Sequence, residues 1–443
     1  MNYEEAVAYI EETPKFTTKN KLEHTKECLR RLGNPQKQFQ VVHVAGTNGK
    51  GSTCAFLTSV FREAGYSCGL FTSPHLVVIN ERFQINEKNI DNDTFLRAFE
   101  KVKKLADELV AEGSYHPTYF EFLFLMGMVI FADANVDYVI LETGLGGRLD
   151  ATTAVEEPSA CVITSISFDH MQYLGNTIEA IAGEKAGIIV PGVPVIYDGN
   201  NPAAAGVIRA RAQELGSPYF EVKREDTKII RNTRAGIDFS YENEYYGNTV
   251  FTLPFIAEYQ VMNSSLALKT IEVLKDQVKI PVEAVRKGLL ETRWQGRMET
   301  VLPGRFTFLM EHPVFLVDGA HNEDGVEKFV ETAVHFQKDY PLTLLFSAVD
   351  DKDYTDMIRT ILGKISFHHV IVTQVGGYRK VPAEKLAEIF REKGCPTAEA
   401  CEDVEEAFKK ALAAKGEDGM LFCVGSLYLV GEIKTLILQG VGK

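Results

Sequence analysis

Between residues 46 and 52 the chain reads Gly46-Thr47-Asn48-Gly49-Lys50-Gly51-Ser52. Glycines at this density let successive backbone N–H groups turn toward phosphate oxygens, and a lysine among them can reach the β and γ phosphates of a nucleotide. ATP or a related triphosphate is the implied ligand. The spacing departs from the common G-x-x-x-x-G-K-[ST] form, because the first glycine lies closer and Gly51 intervenes before Ser52. Phosphoryl transfer also calls for Mg2+, a hard cation that takes carboxylate, hydroxyl and occasional imidazole donors. Ser73, Glu142 and the pair Asp169-His170 each end a strand-like run and are the candidates. Taken singly they have plainer readings, a strand-end carboxylate for Glu142 and a capping or core histidine for His170. Placed together beside a phosphate loop, they read as one metal site.

The elements that must position these residues follow from periodicity. Residues 40–45 are dense in β-branched side chains and read as a buried strand. Residues 53–64 carry apolar side chains at helical spacing, ended by Gly65, and 67–72 form a second strand. Further strands are expected at 137–141, 160–165 and 194–197, with a helix at 177–185. Their continuous apolar character suits a parallel sheet covered on both faces, whose carboxyl ends converge on one crevice. Residues 221–256 alternate Thr, Tyr, Phe and Asn around Gly236 and Gly247, which predicts an antiparallel excursion, and a helix follows at 260–275. Periodicity breaks near Trp294-Gln295-Gly296-Arg297-Met298. Strands at 314–317, 342–347, 369–373 and 421–424 then alternate with helices at 323–335, 353–362 and 383–393. The expected fold class is α/β, with an N-terminal P-loop ATPase-type domain (1–298) built on a mostly parallel sheet and a smaller C-terminal Rossmann-like α/β domain (299–443).

Composition narrows the function. The 443 residues hold 47 Lys and Arg against 61 Asp and Glu, a net charge of −14, which argues against general binding to nucleic acid or an anionic membrane. An acidic ligand must therefore meet a local cluster of cations. The seven cysteines contain no C-x-x-C pair, so neither a disulfide framework nor a zinc site is indicated. The N-terminus is acidic with no apolar run behind it, and the longest apolar stretch, 122–132, falls short of the roughly 20 residues a bilayer demands. A cytoplasmic protein is expected.

The set Gly46-Thr-Asn-Gly-Lys-Gly-Ser52, Thr72-Ser-Pro-His75, Leu141-Glu-Thr-Gly-Leu-Gly-Gly-Arg-Leu-Asp-Ala151, Ser167-Phe-Asp-His170, Glu184-Lys-Ala-Gly187, Gly296-Arg297 and Asp318-Gly-Ala-His-Asn322 resembles the folylpolyglutamate synthase/dihydrofolate synthase branch of the Mur ligase superfamily. The motifs run in the same order over nearly the whole chain. The resemblance implies an ATP-dependent amide ligase that joins L-glutamate to folates and folyl-polyglutamates through an acyl phosphate, with dihydropteroate as a further acceptor. It also implies ATP and two Mg2+ ions as cofactors, small-molecule partners and a monomer. By the same resemblance Thr47, Asn48, Gly49, Lys50, Gly51 and Ser52 hold the triphosphate, and Ser73, Glu142 and His170 match the magnesium ligands. Lys185 matches a lysine carried as a carbamate, which needs a neutral amine and hence a depressed pKa. Asn263, Arg297 and Asp318 match nucleotide contacts.

Thr118, Tyr119, Phe120 and Glu121, with Leu149, Asp150 and Ala151, correspond to segments lining the pteroate or folate pocket, where aromatic rings could stack the flat substrate. His321 fits a nucleotide or glutamate contact and equally a structural hydrogen bond. Ser426, at a strand-to-helix junction, is a candidate to receive the glutamate carboxylate. Lys50, Lys185 and His170 are the expected catalytic groups. Lys21, Thr153 and Glu323 depart from the family pattern, away from the phosphate loop. Two other readings stand beside this one: a Mur-type ligase for a cell-wall precursor, and a nucleotide-dependent switch without ligase chemistry.

Overall fold

The structure, a computed structural model, describes residues 1–13, 21–233, 235–294, 299–300, 315–376 and 379–440. Two helices, α1 (Tyr3–Glu12) and α2 (Leu22–Arg31), precede β1 (Gln40–Ala45) and α3 (Lys50–Glu63). β2 (Cys68–Phe71) leads into the short strands β3 (Phe83–Ile85) and β4 (Lys88–Asn89), then α4 (Asn92–Ala111) and α5 (Tyr119–Asp133). After β5 (Tyr138–Glu142) and β6 (Ala160–Ile163) come α6 (Met171–Leu174), α7 (Ile178–Ala186), β7 (Val195–Asp198), α8 (Pro202–Glu214) and β8 (Tyr219–Val222). Among the described residues these strands form one eight-stranded sheet in the order β4-β3-β2-β5-β1-β6-β7-β8. It is parallel from β2 to β8, with β3 and β4 antiparallel at one edge.

Alternation along β1 divides the core. Val42 and Val44 face α3 on one side, while Val41 faces α4 and α5 on the other. Parallel strands covered on both faces must be apolar on both, and the sequence of β1 meets that demand. α5 is apolar around nearly its whole circumference because it lies inside this packing. No helix among the described residues is long and apolar enough to cross a membrane.

The antiparallel excursion expected at 221–256 is a three-stranded sheet, β9 (Thr227–Thr233), β10 (Gly236–Tyr241) and β11 (Val250–Leu253). Its inner residues Ile237, Phe239, Phe251 and Leu253 join the core beneath α9 (Tyr259–Val273) and α10 (Val282–Glu291). The last sheet begins with β12 (Glu299–Thr300) and β13 (Phe315–Val317), followed by α11 (Glu323–Ala333), β14 (Leu342–Phe346), α12 (Tyr354–Leu362) and β15 (His369–Val372). α13 (Ala383–Glu392), β16 (Glu399–Ala400), α14 (Val404–Lys415), β17 (Met420–Val424) and α15 (Leu427–Leu438) complete it. The order is β12-β13-β17-β14-β15-β16, with β12 antiparallel and the rest parallel. Leu342, Leu344 and Phe346 face α11, α12 and α13, whereas Leu345, Leu421 and Cys423 face α14 and α15. Among the described residues the chain is thus α/β, with one small antiparallel sheet and two parallel-rich sheets whose carboxyl ends carry the loops described next.

Candidate active site

β1 ends at Ala45, between β5 and β6, so the loop that follows sits at the centre of the sheet's carboxyl edge. Two of its glycines are required by space. A Cβ on Gly46 would collide with the Thr164 hydroxyl. Gly49 has φ of 86° and closes the first turn of α3, and a Cβ there would strike the Asn263 side chain. The same proximity brings Asn263, from α9, onto the phosphate loop. Gly51 packs against the Trp294 ring, while the Ser52 hydroxyl faces inward and accepts from Gln260 Nε2 at 3.3 Å.

Lys50 Nζ donates to the carbonyls of Gly46 at 3.1 Å and Thr47 at 3.0 Å. Lys185, the penultimate residue of α7, reaches the same Gly46 carbonyl at 2.7 Å. It is 4% exposed. Burial, reinforced by the charge of Lys50, lowers its pKa to about 7. Two ammonium groups share one carbonyl, and a polyphosphate placed against this loop would supply the negative charge they lack.

Glu142 closes β5 and is buried, and its Oε2 accepts the backbone N–H of Ser73 at 3.2 Å. His170 takes a left-handed conformation with φ of 48° at the start of α6. Burial pulls its pKa down to about 4 against the opposing pull of Asp169, and Lys50 also bears on it, so its imidazole is neutral near pH 7. Glu142 and Ser73 offer a carboxylate and a hydroxyl of the kind Mg2+ takes, and His170 offers a neutral imidazole on the same sheet edge. No cluster of three His, Cys, Asp or Glu residues suited to a metal occurs among the described residues. The Ser73–Glu142–His170 set contains two such residues and a hydroxyl, which is a different arrangement.

The second sheet closes over this edge. Asp169 Oδ1 pairs with Lys352, from the loop after β14, and Oδ2 accepts from Asn322 Nδ2 at 3.0 Å, with His321 Nε2 at 3.9 Å. Burial alone would raise the Asp169 carboxyl, but Lys352 and the two histidines hold it well below the usual carboxylate range. Asn48 Nδ2 donates to Asn322 Oδ1 at 3.1 Å and Asp324 Oδ2 at 2.7 Å, tying the phosphate loop to the start of α11. Asp318 lies at the end of β13; its Oδ1 accepts from the Ala320 backbone at 2.8 Å and its Oδ2 from Tyr259, on α9, at 3.3 Å. His321 Nδ1 approaches the Gly319 carbonyl at 2.6 Å. Arg297 lies outside the described residues. Lys352 and Asn322 both meet Asp169 at this edge; neither is among the candidate site residues read from the sequence, although Asn322 closes the Asp318-Gly-Ala-His-Asn322 motif.

The expected acceptor pocket is more mixed. Glu121 accepts the Thr118 N–H at 2.8 Å in the capping box that starts α5, so this pair shapes the helix entrance. Phe120 packs edge-on to Phe71 at 5.8 Å, and Tyr119 is 7% exposed. Leu149 is open to solvent and Ala151 buried. The Asp150 carboxylate accepts N–H groups from Gly144, Leu145 and Thr152 and the Thr152 hydroxyl, which folds the 143–153 loop. Ser426 caps α15, accepting the Tyr428 N–H at 3.1 Å. Of the expected substrate contacts, Glu121, Asp150 and Ser426 thus already hold backbone, and Thr118 gives its N–H to Glu121.

A family model described as the Mur ligase middle domain matches residues 44–271, and one described as the Mur ligase, glutamate ligase domain matches 304–427. The chain is 37% identical over 442 residues to the dihydrofolate synthase/folylpolyglutamate synthase of Bacillus subtilis (strain 168), covering 98% of each. It superposes on a crystal structure of folylpolyglutamate synthase from Thermotoga maritima with a TM-score of 0.84 at 30% identity, over 99% of this chain and 97% of that one. A structure of E. coli FolC in complex with DHPP and ADP matches with a TM-score of 0.83 at 26% identity, over 99% of this chain and 98% of that one.

Proposed function

The chain belongs to the Mur ligase family, in its folylpolyglutamate synthase/dihydrofolate synthase branch, and from that premise we propose how its residues divide the work of joining glutamate to folate. It is an ATP-dependent ligase of L-glutamate to folates. A carboxylate oxygen of the acceptor attacks the γ-phosphorus of ATP, and ADP leaves. The glutamate amine then attacks the acyl carbon, phosphate leaves, and the amine surrenders a proton. A carboxylate is a poor acylating agent until it carries such a leaving group, and the transfer depends on positioning and charge neutralisation.

The observation that carries this reading is the meeting of Lys50 and the buried Lys185 at the Gly46 carbonyl, on the sheet edge that also holds Ser73, Glu142 and His170. Lys50 neutralises the transferring phosphoryl group, Gly49 and the α3 N-terminus approach the phosphates, and Asn263 and Asp318 flank the nucleotide, with Arg297 expected beside them. Ser73, Glu142 and His170 would hold Mg2+, which supplies further neutralisation of phosphate charge when bound. Lys185, with a pKa near 7, offers the neutral amine that a carbamate requires. Tyr119, Phe120 and Leu149 flank the acceptor. We place the domain division near 298–299, because β12 already pairs within the second sheet. Both sheets of one chain contribute to the site, which supports a monomer as the working unit.

A product assay with labelled glutamate tests the reading. Amide products are expected with tetrahydrofolate and dihydropteroate and not with muramyl acceptors. Nucleotide hydrolysis without any pterin-bearing amide would refute it.

A further inference from the structure

Arg82 ends a short 3-10 helix, Ile79–Arg82, and its backbone carbonyl accepts the Thr72 N–H at 3.1 Å. It therefore lies beside the strand end that leads to Ser73 and His75. Its side chain is 5% exposed. Nε donates to His75 Nδ1 at 2.9 Å, Nη2 donates to the Tyr119 hydroxyl at 3.4 Å, and the guanidinium carbon stands 5.6 Å from the centre of the Tyr119 ring. Among the described residues Arg82 forms no ion pair. Glu11, an exposed carboxylate, bears on Tyr119 but does not pair with Arg82.

A guanidinium is always charged, and burying it without a counter-charge is costly. Its remaining N–H donors have no partner among the described residues. The cost is tolerated where a ligand brings the missing anion, and a guanidinium fork fits a carboxylate best. The surroundings point to the acceptor. His75 lines a groove of about 690 Å³ between the loop after β2 and α15, together with Leu76, Lys380 and Tyr428. Tyr428 lies near enough to bear on Tyr119 electrostatically. Arg82 thus stands between Tyr119 of the expected aromatic pocket and His75 of the interdomain groove, bonded to both.

Resting on the ligase reading above, we propose that Arg82 binds the non-reacting carboxylate of a glutamylated acceptor and so selects folates that already carry glutamate. An acceptor such as tetrahydrofolate has two carboxylates, one that is phosphorylated and one that is a bystander. Arg82 meets the bystander, while the reacting group lies at the Lys50 end. His75 helps to hold the guanidinium in place, because its Nδ1 accepts from Arg82 Nε.

The test pairs a change in the enzyme with a change in the acceptor, so that their coupling is isolated. Wild-type protein and Arg82→Gln are each assayed on tetrahydrofolate and on its analogue with the α-carboxylate replaced by carboxamide. Wild type is expected to prefer the acid by about 10- to 100-fold in kcat/KM, expressed mainly in KM, as fits a buried charge-assisted hydrogen bond. Arg82→Gln should lose most of that preference. Should Arg82→Gln fail to fold, as judged by ADP binding, Arg82→Lys takes its place and should retain a reduced preference. Equal discrimination by wild type and variant, or no discrimination by wild type, would overturn the assignment. Wild-type protein that ligates glutamate to neither acceptor nor to dihydropteroate would instead refute the function itself.

Discussion

Lys50 and Lys185 are the residues on which the chemistry turns, and each makes its own prediction. Lys50→Ala removes a cation positioned where phosphoryl charge develops, so kcat should fall by about a hundredfold to a thousandfold in a steady-state assay. A near-normal rate would take Lys50 out of the reaction. Lys185 has a pKa near 7, so its neutral fraction falls below that pH. Protein stripped of carbon dioxide under mildly acidic conditions should lose activity and regain it with bicarbonate above neutrality; Lys185→Arg should show no such recovery. A third prediction concerns stability. The Thr152 hydroxyl donates to Asp150 at 2.6 Å, so at 2.8 Å it accepts from His43 Nε2–H, leaving Nδ1 buried without a partner among the described residues. Burial lowers the His43 pKa to about 4. Between about 6.5, the unfolded value, and 4 the unfolded chain binds a proton that the native chain refuses. Stability from this group is therefore complete above pH ~6.5 and is lost as pH falls toward 4, by up to about 3 kcal/mol. Urea midpoints across that window should fall less steeply for His43→Gln than for wild type, and parallel slopes would contradict the assignment.

At the scale of elements, the phosphate loop depends on glycines that other elements crowd. Gly49→Ala places a Cβ against Asn263 in a left-handed turn, a conformation costing an L-residue about 1–2 kcal/mol before any clash. Calorimetry should show ATP binding weakened by at least about tenfold, and unchanged affinity would mean that the loop tolerates rearrangement. The strands that position this loop were readable because both their faces are buried, so runs such as Val41-Val42-His43-Val44, apolar but for His43, mark them directly. The same logic located Glu142 at a strand end, whereas β6 stops at Ile163 and Asp169-His170 lie beyond it at the start of α6. No element is read from the sequence between 74 and 118, where the structure has β3, β4 and α4. β3 and β4 span three and two residues, too few for alternation to register. α4 carries Phe95, Phe99, Val102, Leu105 and Leu109 at helical spacing and was legible by the same rule. Arg82 is hidden for the first reason. Lys352 is hidden for another: it sits in an acidic loop, Asp350-Asp351-Lys352-Asp353, and only tertiary packing turns it inward to Asp169.

The whole molecule carries a net charge of −14, yet Lys50, Lys185 and Lys352 gather where the two sheets meet. Asp169 and Asn48 fasten that junction through Lys352, Asn322 and Asp324. Removing one member of a buried pair leaves an uncompensated charge, typically about 3–5 kcal/mol. Lys352→Met alone should therefore destabilise the nucleotide-free protein strongly, and adding Asp169→Asn should restore part of the loss. Strictly additive effects in denaturant titrations would show that the pair is uncoupled. The central claim is that a phosphate loop, its cations and a second sheet activate an acceptor carboxylate for attack by glutamate. Acceptor labelled with 18O in the reacting carboxylate tests it most directly, by mass spectrometry of the phosphate released during ligation. Activation as an acyl phosphate predicts one labelled oxygen in each phosphate formed, whereas amide product accompanied by unlabelled phosphate would contradict the account.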